Sequence, residues 1–355
     1  MSEVDLAVRH HDGGATPDRC TKPLALTLGD PAGVGPEIVA KAWAALKGTG
    51  PAFTVIGDAA VLVAQGAPVH GVSTMSEGAA RFADALPVLD RPVRAPVSAG
   101  QASADHAPAI VAWIESAVEL CLAGEAAGVV TAPIAKAPLY EAGFKFPGHT
   151  EFLAELTRGK PIPSPLGLTR RGPVMMLASG DLRTVLVTIH EPYAKVPSLL
   201  TVERIVHTAA VTAEALKSDF GIARPRLAVA GLNPHAGESG QIGREEIEVI
   251  IPAVTQLRAL GIDAVGPKPA DTLFHAEARR TYDTAVCMYH DQALIPVKML
   301  DFWSGVNITL GLPIVRTSPD HGTGFDVAGK GVARPDSLIA AIRIAHEIAS
   351  RRRRA

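Results

Sequence analysis

At 355 residues the chain is long enough to bury a large core, as two domains or one large one. Its 34 basic and 36 acidic residues leave a net charge of −2, which gives no electrostatic footprint for nucleic acid or an anionic membrane. No run of about 18 uninterrupted apolar residues exists, so no segment is expected to span a bilayer. Gly (33) and Pro (28) are plentiful, which predicts many tight connections between strands and helices.

Residues 1–21 are polar and lack the apolar centre of a secretory signal. They read as a disordered extension, with His10 and His11 in a solvated tail. Cys20, Cys121 and Cys287 share no spacing motif, and an odd number argues against a disulfide framework. The expectation is a cytoplasmic chain with Cys121 and Cys287 buried and reduced. Residues 24–28 read as the first strand, running into Gly29-Asp30-Pro31-Ala32-Gly33-Val34-Gly35-Pro36-Glu37. Pro36 suits a first helical position, and Glu37 complements the exposed N–H groups there. Residues 73–104, rich in Ala, Pro and Ser, read as an irregular surface stretch with short strand candidates only. A helix follows, with Ile110, Ile114, Ala117, Val118 and Cys121 on one face. Residues 128–131 are a short buried strand, and the loop through Pro133 to Lys136 is the expected first crossing between domains.

Residues 185–189, 227–232 and 285–289 read as strands. Between them the spacing predicts helices over 202–220 and 247–257, the latter bent at Pro252. A closing helix over 338–348, capped by Asp336 or Ser337, leads into Arg351 to Arg354, a basic last turn rather than a nucleic-acid patch. Strands alternating with helices predict an α/β fold with a largely parallel sheet covered on both faces.

Ligands of such sheets bind beyond the carboxyl ends of the strands. His190 and His290 directly follow two of the predicted strands, and His235 lies just past a third. A single histidine so placed is more often structural than a ligand, but three from separate strands of one sheet could share a Zn, Co, Ni or Fe ion. Glu191, Glu238 and Asp291 are near enough in sequence to orient these rings, or merely decorate surface loops. Pro147-Gly148-His149-Thr150-Glu151 places His149 and Thr150 at a helix start, where they grip an anion or where Thr150 simply caps the helix. Lys298, Asn307 and Arg316 stand in apolar surroundings that call for partners, either internal acids or a bound phosphate or carboxylate. The run from Asp320 to Gly331 nearly fits a Walker A loop, but Gly331 occupies the position of the Mg²⁺-binding Ser or Thr, so a P-loop is rejected. No G-x-G-x-x-G follows a strand, so a Rossmann site is not supported.

Several segments together resemble the 4-hydroxythreonine-4-phosphate dehydrogenase family of pyridoxal phosphate biosynthesis. They are the run from Leu28 to Glu37, Gly148-His149-Thr150-Glu151-Phe152, the run from Gly231 to Glu238, and Pro269-Ala270-Asp271-Thr272-Leu273-Phe274. Met288-Tyr289-His290-Asp291-Gln292, the run from Gly305 to Pro313, and Arg316-Thr317-Ser318 continue the series, so the resemblance spans about 22–349. It implies a fold like isopropylmalate dehydrogenase: two α/β/α domains, 22–133 plus 308–355 and 134–307, with the active site in the cleft between them. It implies a divalent metal (Zn, Mg or Co) on His190, His235 and His290, and substrate on His149, Thr150, Lys298, Asn307 and Arg316. The segment carrying His321, Gly322, Thr323 and Asp326 is similar to a loop that would hold NAD or NADP. A homodimer whose site borrows a metal ligand from the partner chain is implied as well. The implied reaction is NAD-dependent oxidation and decarboxylation of 4-phosphohydroxy-L-threonine to 3-amino-2-oxopropyl phosphate and CO₂. Asp271 and Asp291 are candidate bases or supports of the metal ligands. Other members of the wider family act on 4-phospho-threonate, 4-phospho-erythronate or a cyclic dihydrodiol. Readings from other classes are a metal-dependent phosphohydrolase and a catalytically silent metal-binding protein.

Overall fold

The computed structural model describes residues 22–162 and 170–354. The expectations for residues 1–21, including His10, His11 and Cys20, lie outside the described residues. The strands are β1 (Leu24–Thr27), β2 (Phe53–Gly57), β3 (Val69–Gly71), β4 (Leu86–Asp90), β5 (Val129–Thr131) and β6 (Val174–Ser179). They continue with β7 (Leu182–Leu186), β8 (Arg226–Ala230), β9 (Asp263–Lys268), β10 (Thr284–Cys287), β11 (Val306–Leu310) and β12 (Arg316–Pro319). All twelve join one hydrogen-bonded sheet in the order β3-β4-β2-β1-β5-β12-β11-β6-β7-β10-β8-β9.

Most neighbours run parallel, as the alternation of strands and helices predicts. The exceptions lie together at the centre, where β11 is antiparallel to both β12 and β6, and β6 is antiparallel to β7. A short turn at Gly180 and Asp181 joins β6 to β7, which only an antiparallel pair permits. Central strands such as β1 and β10 are buried along their whole length. Both faces are covered: the helix Ala107–Leu122 packs on β1 and β2, Val202–Ser218 on β6, β7, β8 and β11, and His290–Leu300 on β6, β7 and β10. That double covering explains the near-continuous apolar runs in the strands.

Several expectations need correction. The stretch 73–104 is not merely irregular: it holds the helix Met75–Arg81 and the ladder strand β4. Its helix start carries a legible signal, Thr74-x-x-Glu77. Thr74 Oγ1 accepts the Glu77 N–H, while the Glu77 carboxylate accepts the Ser73 N–H. Strands β7, β8 and β10 end two or three residues earlier than predicted. The helix near Pro252 is distorted there as expected: a π-turn, Glu246–Ile250, passes directly into Ile251–Ala259, with Pro252 just after the junction. The closing helix starts at Asp336, but neither predicted cap caps it. Asp336 holds Arg334, and the Ser337 hydroxyl donates to Gly305 O and accepts the Asp320 N–H. Glu37 stands in the first turn of its helix as expected, and its carboxylate also reaches outside that helix, as described below. Cys287 is buried in β10, whereas Cys121 is half-buried; both are free thiols, and burial pushes the Cys121 thiol up to about 12.

The basic last turn has a specific anchor. Arg352 forms a bidentate pair with Asp219 at 2.7 and 2.8 Å and also donates to Leu312 O, tying the closing helix to the end of Val202–Ser218. The Asp219 side chain is 2% exposed, so Arg352→Ala would strand a buried carboxylate. The expected cost is about 3 kcal/mol in chemical denaturation, while Arg351→Ala should cost far less.

Candidate functional site

A cavity of about 480 Å³ opens beyond the carboxyl ends of the central strands, at the antiparallel seam between β12 and β11. Arg316 opens β12 and Asn307 stands on β11; both line it. Arg316 is 3% exposed, yet no carboxylate bonds to it. Its guanidinium donates to Thr309 Oγ1 at 3.0 Å and to Thr131 Oγ1 at 2.9 Å, and its buried Nε–H has no partner. Burial pushes its pKa down to about 10, with the Glu151 charge opposing, so it remains a cation at neutral pH. His149 Nε2 and Asn307 Oδ1, sealed in the same cavity, are also without hydrogen-bond partners. A desolvated cation and orphaned polar groups converging on one space are what an anionic ligand would satisfy.

His149 and Thr150 open the helix His149–Leu156 as predicted; Thr150 does not cap it, since no side-chain hydrogen bond is made there. The His149 pKa is held well below the usual histidine range, first by burial and then by the Arg316 and Lys136 charges, so its ring is neutral. Lys298 reaches the cavity from the helix His290–Leu300, but its ammonium is already engaged, with Asp320 Oδ2 at 3.0 Å and Asp320 O at 2.9 Å. The alternatives left open for the cations thus divide: an internal acid serves Lys298, and none serves Arg316.

Two of the three predicted metal histidines meet. His190 and His290 line the cavity with ring centroids 5.7 Å apart. Thr188 Oγ1 donates to Met288 O at 2.7 Å, pinning together the segments that carry them. Gln292 accepts the Met288 N–H and donates to Gly231 O, fixing the turn that presents His290. His290 Nδ1 lies 2.7 Å from Asp291 Oδ1; because a carboxylate accepts, that nitrogen carries the hydrogen of this bond. Asp291 Oδ2 accepts from the Tyr193 hydroxyl at 2.5 Å, and these two bonds hold the carboxylate below its usual range. Burial, then the Lys136 and His290 charges, lower the His190 pKa, which keeps the ring in the neutral form that binds metals.

His235 lies elsewhere. It lines a separate surface cavity of about 360 Å³ with Asp271, Asn233 and Tyr289. Among the described residues of one chain, no group of three His, Cys, Asp or Glu is arranged to hold a metal. His235 opens a left-handed turn in which His235, Ala236, Glu238 and Ser239 all have positive φ, a costly conformation for residues other than glycine. Buried Glu246 secures the entry to it: Oε1 accepts the Leu232 and Asn233 N–H groups, each at 2.7 Å, and Oε2 accepts from Asn233 Nδ2. Gly237 (φ +81°) approaches the same carboxylate too closely for any side chain.

His321 and Gly322 line the main cavity's rim, while Asp326 is exposed on the loop beyond. Thr323 is spent on architecture: its carbonyl accepts the Val34 N–H at 2.8 Å, and a Cβ on Gly33 would lie 2.8 Å from that same oxygen. Glu37 Oε1 accepts from Lys41 and from the Ala333 N–H, and Lys41 donates onward to Gly331 O and Ala333 O. The two glycine-rich segments are therefore laced into one platform.

Sequence reasoning missed Thr131, Thr309, Tyr193 and Glu246, and did not assign Lys136 or Glu151, which both line the cavity. Threonines in strands and acids on helices carry no pattern of their own. Only Glu151, inside the motif at the helix start, had a signal.

The chain matches the family profile described as "Pyridoxal phosphate biosynthetic protein PdxA" over residues 51–345. It is 66% identical over 334 residues to a 4-hydroxythreonine-4-phosphate dehydrogenase of Caulobacter vibrioides, covering 94% of this chain and 99% of that protein. It is 55% identical over 336 residues to the protein of the same name from Maricaulis maris, covering 92% and 97%. Among solved structures, a 4-hydroxythreonine-4-phosphate dehydrogenase from Klebsiella pneumoniae superposes with a TM-score of 0.80 at 38% identity, covering 93% of this chain and 98% of that one.

If Arg316 awaits an anion, inorganic phosphate should stabilise the protein against heat. At 100 times its Kd the gain is about 2.7 kcal/mol. In Arg316→Gln, thermal-shift titration should show more than half of that gain lost.

Proposed function

The chain belongs to the PdxA family of pyridoxal phosphate biosynthesis, and from that premise we propose that this oxidoreductase oxidises and decarboxylates 4-phosphohydroxy-L-threonine, giving 3-amino-2-oxopropyl phosphate and CO₂. The observation that carries this reading is buried Arg316, which no carboxylate pairs, in one cavity with His190 and His290. Arg316, Asn307, His149 and Thr150 hold the phosphate, with Lys298 kept near it by Asp320. Fixed charges and hydrogen bonds of this kind place the C3 hydroxyl without reorganisation at the moment of reaction. The platform carrying His321, Gly322, Thr323 and Asp326 would hold NAD or NADP, which would supply the hydride acceptor for C3.

The donor set fits a divalent metal (Zn, Mg or Co): two imidazoles line the cavity, and the Asp291 carboxylate orients one of them through its Nδ1. When bound, such an ion lowers the pKa of an alcohol and stabilises the negative charge left by loss of CO₂. His190 and His290 hold it from one subunit and His235 from the other. Asp291, with both oxygens engaged, serves to orient His290. Asp271, beside His235, is the candidate base. The surface supports a homodimer: Ile295 and Met299, 63% and 74% exposed, project from the helix that begins with His290, and Phe302 and Trp303 follow. Exposed Ile242, Ile247 and Ile251 form a second apolar area after the His235 turn. The two lobes we propose, 22–133 plus 308–355 and 134–307, would divide within β11, next to its seam with β12. No described helix is long and apolar enough to cross a membrane, in keeping with a cytoplasmic enzyme.

Absorbance at 340 nm should rise when purified protein meets NAD, a divalent metal and 4-phosphohydroxy-L-threonine, and chelation should abolish the rise. Faster turnover of 4-phospho-threonate or 4-phospho-erythronate would reassign the substrate, and phosphate release without NADH would end the dehydrogenase reading. The shared metal site has its own test. His290→Ala and His235→Ala are each expected to be inactive, but their mixture should recover up to about a quarter of wild-type activity after subunit exchange, because one site in each mixed dimer is whole. Continued inactivity of the exchanged mixture would place all three ligands in one chain.

A further inference from the structure

Strands β8 and β10 pair in parallel as far as Val229 and Val286, and the same register continued would set Gly231 beside Met288. There the two chains part. Met288 stays with its neighbour on one side, its carbonyl accepting the Thr188 N–H at 3.2 Å. Gly231 stays with its neighbour on the other, its N–H donating to Lys268 O at 2.8 Å. A side chain fills the fork between them. Gln292, in the first turn of the helix His290–Leu300 and 6% exposed, accepts the Met288 N–H on Oε1 and donates from Nε2 to Gly231 O, each at 2.7 Å. Its amide stands in for a rung of the ladder, a task that needs an acceptor and a donor on one flat group. Glutamine offers both, whereas an ionised glutamate or a methionine does not. Beyond the fork, His290 lines the main cavity and His235 the other one, whose wall Gln292 itself joins. The left-handed turn folds back onto Gly231, since a Cβ on that glycine would lie 3.0 Å from Ala236 Cα, so a shift of Gly231 reaches His235 directly.

Resting on the shared metal site proposed above, we infer that Gln292 is a positioning residue for both active sites of the dimer at once. Its bond to Met288 sets His290 for the ion of its own subunit, and its bond to Gly231 sets His235 for the ion of the partner. The reason is geometric. Two histidines that serve different ions must diverge, whereas backbone pairing draws strand ends together. A rung of side-chain length widens the gap while leaving neither the Met288 N–H nor the Gly231 carbonyl unpaired. Each ion is then held by histidines that two glutamines position, one in each subunit.

The test titrates Co(II), whose visible absorption reports ligand geometry, into the metal-free dimer and reads the number and affinity of sites without turnover. Gln292→Met keeps the volume and loses both bonds. It should weaken Co(II) by about 10- to 100-fold at both sites and change the shape of the bands. Arg352→Ala, which acts beside Leu312 at the end of β11 away from Asn307, should lose stability yet keep wild-type Co(II) affinity and spectrum. The mixed dimer of one wild-type and one Gln292→Met subunit, isolated through two different tags, should hold no site of wild-type affinity. One such site would mean that Gln292 serves a single histidine, and two that it serves neither; either result overturns the inference. Gln292→Glu, which still accepts from Met288 but when ionised cannot donate to Gly231, covers the case in which Gln292→Met does not fold. Its mixed dimer with wild type should be weakened at the site that takes His235 from the variant subunit, and two wild-type sites would overturn the inference. A mixed dimer of His235→Ala with His290→Ala tests the premise separately. One intact Co(II) site there upholds the shared metal whatever Gln292 does, and none overturns the shared site and the inference with it.

Discussion

A guanidinium sealed at the centre of a twelve-stranded sheet, with hydroxyls as its partners and one N–H unused, is the constraint around which this molecule is arranged. Arg316 is reached by Thr131 from β5 and Thr309 from β11, so the strands on either side of β12 each contribute one acceptor. Neutral acceptors satisfy geometry without cancelling charge. The cation therefore carries no internal counter-charge, which is the reason for proposing it as an anion site. Had an aspartate stood at either threonine, the protein would hold an internal ion pair there and a weaker anion site.

The surroundings of Arg316 follow a consistent division of labour. Groups that must stay fixed are tied twice: His290 through Asp291, which Tyr193 holds in turn, and the His235 turn through Glu246. Groups meant for ligands are left with free atoms, as with His149 Nε2, Asn307 Oδ1 and the Arg316 Nε–H. The platform formed by the two glycine-rich segments is of the first kind. Glu37, Lys41 and the Thr323 carbonyl hold the loop in place, so its outer residues are presented without themselves being strained by the anchoring. Strain is concentrated instead in the left-handed turn at His235, the one predicted ligand that does not reach the cavity of its own chain.

Much of the architecture was legible in advance because parallel strands buried on both faces advertise themselves as short apolar runs. Those runs placed His190 and His290 beyond strand ends correctly even though the strands stop earlier than expected. The antiparallel centre was not legible, since β6, β11 and β12 look no different in sequence from their parallel neighbours. Residues 73–104 were misread because small residues gave a weak apolar pattern, although Thr74 and Glu77 spelled out the helix start.

By itself the sequence determined the α/β class, the motifs that mark the family, and the residue types that we propose hold a metal and a phosphate. These follow from local chemistry: periodicity, turn residues and the placing of histidines after apolar segments. Tertiary structure alone decided which of those groups are spent and which are free. Lys298 and Arg316 are both cations in apolar stretches, yet one meets Asp320 across 22 residues and the other meets only hydroxyls, across 7 and 185. The same holds for the histidines, two of which share a cavity while the third turns to another surface. Whether a charge is paired depends on what long-range packing brings within about 3 Å of it, and no spacing along the chain encodes that distance.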